Sequence, residues 1–176
     1  MRRLRFPKPY ADIAARLRVP FGFALVAAFA WLAEPARGSL ALGLPVAAGG
    51  LLLRAWAAGH LAKNTELAVT GPYGYTRNPL YLGTLIVAAG LVLAARRLEL
   101  ALLFGTVIEL EEQHLRKLFP AYADYAARVP LLLPRWPRYG ERGVFRRALY
   151  LRNQEYNALA GFLAGAAWLV WRACNA

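Results

Sequence analysis

The sequence predicts an all-α fold: a polytopic membrane helical bundle of about five transmembrane helices, with a polar site at its cytoplasmic end. Three observations carry that prediction. Hydrophobic residues make up 59% of the 176 residues, more than an ordinary soluble domain carries and normal for a small polytopic membrane protein. Apolar runs recur at 18–33, 40–61, 79–95, 98–114 and 158–172, to be compared with the ~20 residues that a spanning helix needs. The Lys and Arg residues fall almost entirely between these runs, as they do in proteins whose loops are sorted across a bilayer. The length fits one integral membrane domain, 1–176, with no internal repeat and no separate soluble unit.

The first run follows a polar leader containing two prolines and Asp12, longer than the charged start of a secretory signal, so a retained helix is expected. The second carries Arg54 inside apolar sequence. An unpaired charge there costs about 2.5–3.5 kcal/mol, so Arg54 is expected either to find an acid, with Glu109 favoured, or to snorkel toward headgroups. Pro79 opens the third run, because proline is pre-set for a first helical turn. Only Arg96-Arg97 separates the third from the fourth, which makes the two a helical hairpin. Glu109, Glu111 and Glu112 interrupt the end of the fourth run, so that helix should leave the hydrocarbon there and continue into water. Residues 135–156, basic and aromatic-rich, form the connection to the fifth run and read as an interfacial segment resting on anionic headgroups. Glycines within the runs permit close helix packing.

Of the 22 basic residues, 17 share one side if the N-terminus is cytoplasmic. Arg37, Arg96, Arg97 and Arg172 take the other side and Arg54 lies within a run. This places 62–78 and 111–156 together in the cytoplasm. The net charge of +12 is thereby accounted for without nucleic acid, for which no binding motif is present. Cys174 is the single cysteine, which excludes an internal disulfide and a cysteine metal cluster. The two histidines, His60 and His114, lie in different segments without a ligand set, so no metal site is predicted. Ser-His-Asp, Walker and dinucleotide-glycine patterns are also missing from the sequence.

Three polar stretches remain as candidates for chemistry. In "WAAGHLAKNTEL", residues 56–67, Trp56, His60 and Lys63 or Asn64 recur at helical spacing and would line one face. In "TGPYGYTRNPLYLG", residues 70–83, Gly71-Pro72 and Asn78-Pro79 pin a loop at both ends. Arg77 and Asn78 then lie at a helix N-terminus, where backbone N–H groups favour an anion. In "ELEEQHLRKLFPAYADYAARVPLLLP", residues 109–134, three carboxylates end an apolar helix and must face water, a base or a cavity.

In this order the three stretches resemble the isoprenylcysteine carboxyl methyltransferases and their phospholipid methyltransferase relatives, over residues 53–134. The loop resembles that family's G-x-Y…R-H-P-x-Y-x-G, and the third stretch its E-E-x-x-L…F-G…Y-x-x-Y…V-P…P. The resemblance implies an S-adenosylmethionine-dependent enzyme with a cytoplasmic cofactor pocket. It carries cofactor contacts onto Lys63, Glu66, Leu67, Ala68, Tyr73, Asn78, Pro79, Leu80, Tyr81 and Glu111, and puts Arg77 and Glu112 beside the reacting groups. Glu111 would meet the methionine ammonium, and the helix start near Arg77 its carboxylate.

Two departures concern the acceptor. Asn78 stands where the family has histidine, and an amide does not titrate near neutral pH. Val107 stands where the eukaryotic carboxyl methyltransferases have a substrate arginine. The implied reaction is methyl transfer to a membrane lipid or lipidated acceptor, with a carboxylate favoured because it needs no base. Phospholipid amine methylation, a sterol-type membrane reductase and a non-catalytic binding module are the alternatives. Arginine outnumbers lysine 19 to 3, the bias of a GC-rich bacterial genome, so a multi-pass protein of a bacterial inner membrane is expected.

Overall fold

The computed structural model describes residues 27, 29–63, 65–97, 122–137 and 139–175. Its ordered elements are helices α1 (Arg37–Ala58), α2 (Pro79–Ala95), α3 (Tyr122–Arg128), α4 (Arg147–Arg152) and α5 (Tyr156–Asn175), with a 3₁₀ turn at Gly71–Gly74. No strand occurs among the described residues, in keeping with the all-α expectation. The fourth expected span, 98–114, and Glu109, Glu111 and Glu112 with it, lies outside the described residues. So does most of the first, of which residues 29–32 are helical.

Helix α1 is 22 residues long, about 33 Å at 1.5 Å per residue. It is the one described helix both long and apolar enough to cross a membrane; α2, at 17 residues, is apolar but shorter. Relative to the run at 40–61, α1 is displaced toward the N-terminus. Ser39 moves the start forward, since its Oγ accepts a hydrogen bond from the Ala36 N–H (3.0 Å) and so satisfies a donor at the helix start. Gly59 closes the other end, its N–H reaching Ala55 O at 3.2 Å. Helix α2 has the predicted bounds. It stops where Arg96 turns into the left-handed region (φ 58°), a common way to end a helix, though usually taken by glycine.

The two helices pack antiparallel through small residues. Gly43, Ala47 and Gly50 of α1 face Gly83, Val87, Gly90 and Ala94 of α2. A Cβ added to Gly50 would lie 2.6 Å from both the Gly83 carbonyl oxygen and the Val87 nitrogen, so the two backbones are in direct contact. Large apolar side chains point the other way: Leu42 and Leu52 are each 72% exposed. Small residues inside and leucines outside is the arrangement of helices whose surroundings are lipid.

Helix α5 joins this hairpin at its far end, where Leu169 is fully buried against Ala33, Val92, Ala94 and Ala95. There the Arg172 guanidinium donates to Ala30 O (2.9 Å) and Trp31 O (3.2 Å), Arg97 pairs with Glu34, and the Glu34 N–H meets Ala95 O at 2.9 Å. The loops 59–78 and 129–155 gather at the opposite end of the hairpin, bonded to each other.

Arg54 does find an acid: its partner among the described residues is Glu155, while Glu109 lies outside them. Nε and Nη2 donate to the two carboxylate oxygens at 3.0 and 2.8 Å, and Nη1 also contacts Thr84 Oγ1. The fork of a guanidinium matches a carboxylate in this way, and here it ties α1, α2 and the start of α5 together.

Candidate functional site

The end of α1 sets the geometry. His60 is buried, and its Nδ1 lies 2.9 Å from Trp56 O. A carbonyl oxygen only accepts, so Nδ1 carries the proton of this contact. Gly71 has φ 58°, and a Cβ there would sit 2.6 Å from the imidazole Cδ2; both conformation and space demand glycine. Rings continue outward on either side. Trp56 contacts His60 and Tyr75 at 6.4 Å, Phe145 contacts His60 at 6.3 Å, and Trp136 stacks on Tyr75 at 4.7 Å.

Residues 129–146 form a strap around the loop. Backbone hydrogen bonds run from Arg77 N to Pro130 O, from Arg135 N to Tyr75 O, from Tyr139 N to Gly74 O and from Gly71 N to Arg142 O, at 2.8–3.2 Å. Tyr125 donates its hydroxyl to Tyr73 O at 2.8 Å. The strap is fixed in turn to the end of α1. Arg146 N meets Gly59 O at 2.9 Å, and the Asn153 amide donates to Ala58 O (3.0 Å) and Leu61 O (2.9 Å), taking up carbonyls that a helix end leaves open. The segment 135–156, read from sequence as an interfacial linker, is therefore also a structural wall of this end of the molecule.

Between the loop and the strap lies a cleft of about 290 Å³, lined by His60, Ala62, Glu66–Thr70, Gly143, Val144 and Arg146. This is near the lower end of the ~300–1,000 Å³ usual for small-molecule sites. The backbone N–H and C=O groups of Leu67, Ala68 and Val69 make no hydrogen bond among the described residues. They are available to a ligand, and unmet polar groups of a half-buried chain favour one that can pair with them. Glu66 and Arg146 face each other across the cleft, with Nη2 to Oε2 at 3.4 Å.

The sequence-predicted residues divide into groups. Glu66, Leu67 and Ala68 line the cleft. Lys63 is exposed in the preceding turn and is not among the lining residues. Tyr73, Arg77 and Asn78 belong to the junction between loop and strap, where the buried Asn78 spends its amide on Leu131 O at 3.2 Å. Pro79, Leu80 and Tyr81 form the first turn of α2. Glu111 and Glu112 lie outside the described residues. Arg146, Asn153 and Glu155 were missed; the polar cluster "NQE" directly ahead of an apolar run was the available signal, since a helix entry needs such groups.

Comparison with known proteins bears on the same stretch. Residues 51–121 match the phospholipid methyltransferase family, a span that includes the end of α1, Glu66–Thr70, the pinned loop and α2. The likeness covers that segment, about two fifths of the chain. Two curated relatives are each 36% identical to it. One is the cobalt-zinc-cadmium resistance protein CzcN of Cupriavidus metallidurans, over 108 residues, 56% of this chain and 49% of the relative. The other is the nickel-cobalt-cadmium resistance protein NccN of Alcaligenes xylosoxydans xylosoxydans, over 104 residues, 53% of this chain and 47% of the relative. The chain spans about half the length of the curated relatives it matches. No solved structure matches it. The strap beyond residue 121, with Arg146, Asn153 and Glu155, lies past the family-matched segment.

Proposed function

We propose that this protein is an integral membrane methyltransferase that uses S-adenosylmethionine to methylate a lipid-like or prenylated amphiphile, with a carboxylate as the favoured acceptor. The observation that carries this reading is the cleft: its family-matched wall is Glu66, Leu67 and Ala68, at the end of a helical hairpin whose outer face is apolar. The donor set fits the cofactor. Open backbone amides and carbonyls suit a purine edge and ribose hydroxyls, and one carboxylate and one guanidinium suit an amino-acid zwitterion.

S-adenosylmethionine supplies an already activated methyl group, so the chain's task is positioning and exclusion of water. His60, held by Trp56 O and walled by Phe145, closes one side of the cleft. Within the same proposal, Lys63, Tyr73, the helix start from Asn78 to Tyr81 and Glu111 complete the cofactor site, with Arg77 and Glu112 beside the reacting groups. The anionic leaflet would contact the exposed Arg135, Arg142 and Arg147. A carboxylate acceptor is favoured because it attacks without first losing a proton, which suits an asparagine at position 78. The family description favours a second acceptor, the amine of a phospholipid headgroup.

A second reading is a non-catalytic membrane module with a part in metal resistance, the one role that the relatives' names print. Among the described residues no three His, Cys, Asp or Glu side chains come together. Incubating the purified protein with methyl-labelled cofactor and a total membrane lipid extract separates these readings. Label is expected in the lipid-extractable fraction, as base-labile ester for a carboxylate and as base-stable product for an amine; the absence of both cofactor binding and label would sink the enzyme reading.

A further inference from the structure

We propose that Arg146, contributed by the strap beyond the family-matched segment, holds the carboxylate of the cofactor's amino-acid portion in this chain. The inference rests on the methyltransferase reading above. Among the described residues lining the cleft, Arg146 is the one Lys or Arg side chain and Glu66 the one acidic side chain. Arg77, the sequence's candidate for that anion, is not among them and sits in the junction against Pro130. A carboxylate entering the cleft therefore meets a guanidinium from the strap.

The placement of Arg146 is built, not incidental. Its own N–H is bonded to Gly59 O, it holds the position just before α4 with its side chain uninvolved in capping, and α4 is followed by Asn153, whose amide grips Ala58 O and Leu61 O. Two residues later Glu155 locks to Arg54. The contacts to Gly59, Ala58, Leu61 and Arg54 fix this segment to α1 and to the turn after it, which carries His60 to the cleft. The guanidinium itself is lightly committed: its 3.4 Å contact to Glu66 joins side chains that are 51% and 69% exposed, and exposed pairs of this kind are weak. A ligand carboxylate can replace Glu66 as the partner, and a bidentate geometry is within reach of the free fork.

The test uses two probes on the purified full chain in lipid nanodiscs, S-adenosylhomocysteine and 5′-methylthioadenosine, which share the nucleoside but differ in the amino-acid portion. Titration calorimetry of Arg146→Gln is expected to show a loss of about 10- to 100-fold for S-adenosylhomocysteine, the range for a charge-assisted contact. Binding of 5′-methylthioadenosine should stay within about twofold, and Arg146→Lys should recover part of the loss. Equal losses for both probes would make Arg146 a structural residue and overturn the proposal, as would unchanged affinity for both. A wild-type protein that binds neither probe overturns the methyltransferase reading, and this proposal with it.

Discussion

Arg54 is an arginine inside an apolar helix whose counter-ion comes from 101 positions further along the chain. Side-chain exposures of 22% and 10% for Arg54 and Glu155 put the pair where removing one partner strands the other. Breaking such a pair costs about 3–5 kcal/mol. Arg54→Leu and Glu155→Leu are each expected to lower stability by about 3 kcal/mol, and the double variant by clearly less than the two together; additive losses in a thermal or denaturant cycle would show that the pair contributes no coupling. The need for a partner was legible, because charge in an apolar run is costly whatever the fold. Its identity was not, because Glu155 sits in a polar linker that sequence alone places no nearer to α1 than Glu109. Asn153 has the same history. Its amide satisfies two carbonyls at the end of α1, so Asn153→Ala should cost about 1–3 kcal/mol, whereas a surface asparagine would cost nearly nothing. Denaturation of that variant measures the difference.

At the scale of elements, the α1–α2 seam was readable as a tendency and its register was not. Small residues in apolar helices announce close packing, yet only the structure shows that Gly50 is at the contact and its neighbour Gly49 is not. Nothing lies within 4 Å of a Cβ built on Gly49, while one on Gly50 meets the backbone of α2. Gly50→Ala should therefore destabilise by about 1–3 kcal/mol as the helices are forced apart. Gly49→Ala, one position away, should stabilise by about 0.5–1 kcal/mol through the lower chain entropy of alanine. Thermal unfolding of the two variants checks the register, and similar shifts in the same direction would place the seam elsewhere. The bounds of α2 came directly from Pro79 and from the Arg96-Arg97 pair, both local signals. Those of α1 were displaced because capping by Ser39 and closure by Gly59 depend on groups that hydropathy does not weigh. The cleft was half legible for a related reason: Glu66, Leu67 and Ala68 sit in a motif, but the opposing wall comes from a segment with no motif and is brought there by backbone hydrogen bonds.

For the molecule as a whole, the distribution of charge and the arrangement of ends make one statement about topology. The sequence assigns 17 of 22 basic residues to one side, and the structure brings the loops at 59–78 and 129–155 together at one end of the α1–α2 hairpin. Arg37, Arg97 and Arg172 lie at the other end, where Arg97 and Arg172 hold the carbonyls of residues 30–32. Helix α5 follows Glu155, which is bonded to Arg54, and reaches Ala30 through Arg172 near its end, so the multi-pass reading of the sequence expects α5 to run across the bilayer alongside the hairpin. Its 20 residues give about 30 Å of helix, the thickness of a hydrocarbon core. Cys174, exposed at the end of α5, should then face away from the cytoplasm while the cleft faces into it, following the excess of basic residues. In a cysteine-free background, residues returned singly at Cys174 and at Lys63→Cys should label with an impermeant thiol reagent from opposite sides: Cys174 in intact cells, position 63 only after the membrane is opened. Labelling of both from one side would mean that α5 does not cross, and the apolar surface it exposes would then need a covering other than lipid.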